Sequence, residues 1–177
     1  KTMKKLIFIS LLFSILSLSV SAQKPTKAEK AAQLEQEFQQ TRQLIESNHF
    51  QFELNRVYPQ DGQDLSRFNP RGKFVITDSV AKGTLPFFGR AYSLPYGEGG
   101  GIEFDGVMKD QSLKIEHKKK RKILIYRFSI TAKNDTYQIS MEISGGGNCS
   151  VNLNSNNRAQ ISYSGTVSPV KDETGKS

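Results

Sequence analysis

Tyr137-Gln138-Ile139-Ser140-Met141-Glu142-Ile143-Ser144 is the stretch that decides the fold. Every second side chain is large and apolar and every intervening one is polar, the two-residue period of a strand with one buried and one wet face. A helix would scatter the same residues around its circumference. The rule extends in both directions. Upstream it governs Leu124, Tyr126, Phe128 and Ile130, preceded by Leu113 and Ile115; downstream it governs Cys149, Val151 and Leu153, and then residues 161–167. Between these segments lie only turn formers: residues 118–121, Asn134-Asp135, Gly145-Gly146-Gly147 and Ser155-Asn156-Asn157. Connections this short can join only antiparallel neighbours, so the C-terminal half is expected to be a β-meander.

A meander of this kind has one apolar face that something else must cover. Thr26 and Glu29 form a capping box, and Ala31, Leu34, Phe38, Thr41 and Ile45 then recur at helical steps, with Leu44 widening the stripe. This predicts an amphipathic helix over about 26–47, ending at Ser47-Asn48. After it the period drops to two: Phe50, Phe52 and Leu54 alternate with polar neighbours, Phe74 to Thr77 follows a turn-rich stretch, and residues 80–88 form a strand interrupted by Gly83 and Pro86. The fold class is mainly β (α+β). An N-terminal helix precedes an antiparallel meander, strands about 49–167, that forms either a partly closed barrel or a two-layer sheet. Residues 168–177 lack apolar periodicity and are expected to fray.

Residues 1–22 have the form of a secretory signal: Lys4-Lys5, an apolar and hydroxyl run of about fifteen residues from Leu6, and small residues at Val20-Ser21-Ala22. That run is shorter than the roughly twenty residues a membrane-spanning helix needs, and no second one follows. Residues 23–177 are then expected to be a single exported domain, periplasmic or associated with the cell envelope, with no transmembrane segment. Of the formal charge of +8, Lys1, Lys4 and Lys5 carry three, which leaves +5 on residues 23–177. That excess aids solubility without marking a nucleic-acid binder. The single cysteine, Cys149, has no internal partner for a disulfide and sits where a strand would bury it.

No catalytic, metal or cofactor constellation stands out, and no cofactor is expected. There are two histidines, His49 and His117, neither with a second ligand at metal spacing. Glu98, Glu103, Asp105 and Asp110 are read as acids of a loop region without the alternating spacing of a calcium site. The basic run from Lys118 to Lys122 is read as a solvated hairpin tip. Gly97, Gly99, Gly100 and Gly101 lack the lysine and the strand-to-helix context of a phosphate loop. The segment from Leu85 to Tyr96 differs. It sets Phe87, Phe88, Arg90, Tyr92 and Tyr96 between and beside two prolines, with Phe104 shortly after. Flat apolar faces beside a guanidinium suit a sugar ring, a peptide or an acidic group. These six residues form the candidate ligand-binding set, weighed against a loop that only plugs the end of the sheet.

Phe87-Phe88-Gly89-Arg90-Ala91-Tyr92, Pro95-Tyr96-Gly97, Gly100-Gly101-Ile102 and Phe104-Asp105-Gly106 resemble the signature of an uncharacterised exported family of Bacteroides-type bacteria, domain-of-unknown-function family 4251. Lys133 to Tyr137, Ser155 to Arg158 and Ile161 to Gly165 extend the resemblance over most of the chain. It implies export and a compact domain with no assigned activity. The expected function is a non-enzymatic binding or interaction domain for a small molecule, glycan or envelope protein, using the aromatic, arginine and glycine-rich loop at about 87–104. The alternatives are a hydrolase or lyase using a histidine with loop carboxylates, and a purely structural envelope component.

Overall fold

The computed structural model describes residues 26–63, 65–92, 100–118, 121–132 and 135–171. The chain divides into two compact units, Lys1–Ala32 and Gln33–Ser177. Of the first, the described part is Thr26 with the opening of helix α1 (Lys27–Glu46). Its capping box is made: the Thr26 amide donates to Glu29 Oε2 at 2.7 Å and the Glu29 amide to Thr26 Oγ1 at 3.2 Å.

The second unit holds the rest of α1 and eight strands: β1 (His49–Pro59), β2 (Lys73–Thr77), β3 (Val80–Leu85), β4 (Ile102–Lys118), β5 (Arg121–Ala132), β6 (Asp135–Ser144), β7 (Asn148–Ser155) and β8 (Ile161–Pro169). Each pairs antiparallel with the next, and β1 also pairs with β8 from Phe50↔Pro169 to Pro59↔Ile161, so the meander closes into a barrel. Closure decides between the two architectures that the sequence leaves open. It also gives every strand a neighbour on both sides.

The period-two reading locates the interior. Tyr137, Ile139, Met141 and Ile143 are all buried, as are Cys149, Val151 and Leu153. Eight strands enclose just enough room for their own side chains, and aromatic rings fill it. Phe52 stacks on Phe74 at 5.1 Å between centroids, Phe74 meets Phe104 at 5.8 Å, and Phe104 meets Tyr137 at 6.3 Å. Apolar inside and polar outside is the reverse of a membrane-spanning barrel. Among the described residues no helix is long and apolar enough to cross a membrane.

Bulges shift the pattern in two strands. In β1 the register slips between Leu54 and Arg56, so the inward set passes from Phe50 and Phe52 to Val57. In β4 it slips between Lys109 and Ser112, beside Asp110 at φ 53°. Ile102, Phe104 and Met108 face inward before that point, and Leu113 and Ile115 continue on the opposite parity as a half-exposed ribbon. Residues 102–110 are therefore strand where the sequence predicts loop. In β5, Ile123 and Ile125 are buried along with the alternating set.

Antiparallel order puts the β2–β3 and β6–β7 turns at one end of the barrel, with the start of β1. Here α1 lays Phe38, Thr41 and Ile45 against the core. Leu34, expected on that stripe, is 62% exposed. The β6–β7 turn comes so close to α1 that a Cβ on Gly145 would lie 3.2 Å from the Phe38 amide nitrogen. Asn48 ends the helix in the left-handed conformation at φ 48°. At the C-terminus β8 runs to Pro169, and Lys171 reaches Glu53 at 3.1 Å, so order extends past the predicted fraying point of 168.

Candidate functional site

The opposite end carries the long β1–β2 and β3–β4 connections and the β7–β8 connection. After β3, the chain does not leave the barrel. Residues 86–92 are fastened across this end by the Tyr163 hydroxyl, which donates to the Pro86 carbonyl at 2.8 Å, and by an isolated antiparallel bridge between Ala91 and Arg158. In that bridge the Tyr92 amide donates to the Asn157 carbonyl at 2.8 Å, and the Ala159 amide donates to the Arg90 carbonyl at 2.9 Å.

This strap divides the candidate residues between two roles. Phe87 turns inward, half-buried against the core. Phe88, Arg90 and Tyr92 stay exposed, Tyr92 by 66%. With Gly89 they line a groove of about 550 Å³ together with Ala159, Pro59 and residues of the β1–β2 connection, Gln60, Asp61, Gln63 and Leu65. The volume lies within the range of small-molecule sites. Its composition is one arginine, one carboxylate, two amides and aromatic or proline faces.

Beneath the strap lies Arg158, 5% exposed. Phe87 covers its guanidinium at 5.2 Å. Its nearest acid is Asp135, itself buried, but Nε stands 3.7 Å from Asp135 Oδ2, too far for a hydrogen bond. Asp135 is committed elsewhere: Oδ1 accepts the Thr136 amide at 2.8 Å and Oδ2 accepts the Ser155 hydroxyl at 2.5 Å. Nε and Nη1 of Arg158 are consequently buried with no hydrogen-bond partner among the described residues. Each such orphaned group costs about 1–3 kcal/mol, a penalty folded proteins rarely carry without a use for it. Burial pushes the Tyr163 hydroxyl above its usual range, and the neighbouring Arg158 charge offsets part of that rise.

Of the six residues singled out in the sequence, the structure brings Phe88, Arg90 and Tyr92 together in the groove, with Phe87 behind them. Phe104 does not join them: it is 2% exposed, between Phe74 and Tyr137 inside the barrel. Tyr96 lies outside the described residues, as do Gly97 and Glu98. Sequence reasoning passed over Arg158 and Asp135. Their signal was an arginine directly before an apolar strand, in a turn where a solvated residue is the default.

The alternative chemistry finds no such gathering. His49 and His117 are both exposed, and neither hydrogen-bonds or ion-pairs with a carboxylate among the described residues. Glu103 and Asp105 lie on the outer face of β4, with Asp105 paired to Lys82 at 2.7 Å, and Asp110 accepts the Ser129 hydroxyl. No group of three or more histidine, cysteine or acidic side chains able to hold a metal exists among the described residues. Cys149 is buried, and that burial raises its thiol well above the usual range, with Glu142 adding to the effect. Along the basic hairpin, Lys118 pairs with Glu142 at 2.6 Å and Lys122 with Glu35 at 2.9 Å.

The model of the family described as "Domain of unknown function (DUF4251)" matches residues 32–167, which takes in all eight strands save the last two residues of β8, the strap and Arg158. The chain belongs to the DUF4251 family. A comparison with curated proteins finds no match. Among solved structures, this DUF4251 chain is similar to a DUF4251 family protein from Bacteroides eggerthii DSM 20697, with 22% identity and a TM-score of 0.55 over 78% of this chain and 91% of that one. That likeness establishes the shared DUF4251 fold.

Proposed function

We propose that this DUF4251 chain is an exported cell-envelope protein that binds a small molecule, a glycan or a segment of an envelope protein in the strap groove, without catalysing a reaction. The observation that carries this reading is the division of labour within the strap. Phe87 and the Pro86 carbonyl close the barrel, while Phe88, Arg90 and Tyr92 are left exposed, two aromatics beside a guanidinium. The backbone carrying them is held by hydrogen bonds to residues 157–159, which fixes the groove before a ligand arrives. Since aromatic rings fill the barrel interior, the end is where a ligand has room. Export is supported by the signal-like pattern of residues 1–22.

The test is a thermal-shift and native mass spectrometry screen of the purified chain against envelope-derived glycans and peptides, repeated on Arg90→Ala/Tyr92→Ala. The reading expects at least one ligand whose adduct and stabilisation vanish in the double variant. That variant should unfold within about 1 kcal/mol of wild type, because the side chains removed are exposed. Loss of stability with no effect on any ligand would instead make the strap a plug alone.

A further inference from the structure

The groove and the buried arginine are neighbours along the chain and across one side chain. Ala159 lines the groove, Arg158 precedes it beneath the strap, and the Phe87 ring packs against both the guanidinium, 5.2 Å from its centroid, and the groove-lining Gly89. A Cβ on Gly89 would lie 2.9 Å from Phe87 Cζ, so the strap is glycine where the ring sits closest.

The charges say what kind of atom is missing. The positive charge of Arg158 is already balanced by Asp135, 3.7 Å away and equally buried, so the site does not call for an anion. What remains unmet is directional: among the described residues Nε and Nη1 are donors without acceptors. The groove repeats that arithmetic: its lining includes one acid, Asp61, and one guanidinium, Arg90, together with the amides of Gln60 and Gln63 and the rings of Phe88 and Tyr92. We infer that the groove's ligand is an uncharged, oxygen-rich molecule, and that one of its carbonyl or hydroxyl oxygens reaches Arg158 when Phe87 swings aside. This rests on the binding reading above and names the chemistry of the same site. An acetamido sugar and a capped peptide share that chemistry, so both serve as probes.

Isothermal titration of the full chain with N,N′-diacetylchitobiose, N-acetyl-dialanine methylamide and sodium acetate tests it on three proteins. These are wild type, Arg158→Lys and Arg90→Ala/Tyr92→Ala. Lysine keeps the charge facing Asp135 but lacks the planar set of donors. The expected result is that a neutral probe binds wild type, acetate does not compete, and Kd rises about tenfold or more in Arg158→Lys at unchanged melting temperature. Affinity unchanged in Arg158→Lys but lost in Arg90→Ala/Tyr92→Ala overturns the role of Arg158 while leaving the groove standing. Acetate binding better than both neutral probes, or no neutral probe binding wild type, overturns the ligand class. Should Arg158→Lys fail to fold, a crystal structure of wild type with the probe decides: a probe oxygen within hydrogen-bond distance of Nε or Nη1 upholds the inference, and only water there overturns it.

Discussion

Gly165 shows how tightly single residues are constrained. It sits on β8 opposite Leu54 of β1, where a Cβ would lie 2.1 Å from the Glu53 carbonyl oxygen and 2.7 Å from the Phe52 ring. The obstacle is backbone and a fully buried aromatic, neither of which can yield cheaply. Gly165→Ala is therefore expected to lower the unfolding free energy by about 3 kcal/mol, read as a lower urea midpoint at unchanged slope. Tyr126 gives a pH signature. Burial pushes its hydroxyl up to about 12, while its oxygen lies 3.0 Å from both Asn48 Oδ1 and Gln111 Oε1. The folded pKa lies above the unfolded value of 10.0, so the unfolded chain loses its proton first. The contribution is thus whole below pH 10 and declines as pH rises toward 12. Chemical unfolding across that window should show stability falling, and Tyr126→Phe should flatten the fall. Arg158 is the residue that alternation could not find. Its burial depends on the strap crossing from a segment more than sixty positions away, about which the local pattern says nothing.

Among the elements, α1 and β4 mark where periodicity succeeds and where it stops. The period of α1 correctly places Phe38, Thr41 and Ile45 on the core, yet it also nominates Leu34, because amphipathicity records which face is apolar and not how far the partner surface extends. Phe38→Ala is expected to cost about 3 kcal/mol and Leu34→Ala less than about 0.5 kcal/mol in denaturant unfolding. Equal costs would mean that the helix packs along its whole stripe. In β4 the strand before the bulge was hidden for a related reason. Gly106 interrupts the inward series, and the slip after Lys109 reverses its parity, so Leu113 and Ile115 read as a new start. The strands β5 to β8 were legible because no bulge interrupts their pairing with one another.

At the level of the whole molecule, closure was the one property that no local signal encodes. It requires β1 to pair with β2 along one edge and β8 along the other, a decision between segments separated by most of the chain. Once closed, the barrel has a filled interior and two distinct ends. The helix covers one, and the strap covers the other with an aromatic and arginine surface turned outward. The candidate site was thus half legible: its exposed residues stand out as an unusual cluster in the sequence, whereas its buried partner emerges only from the fold. The central claim is that the strap end is where this protein meets its ligand. Hydrogen–deuterium exchange of the full chain, with and without the best ligand from the screen, addresses that claim most directly. Slower exchange is expected at residues 86–92 and 157–159, with the α1 end unchanged; protection confined to the α1 end or the β4–β5 ribbon, with the strap unaffected, would contradict it.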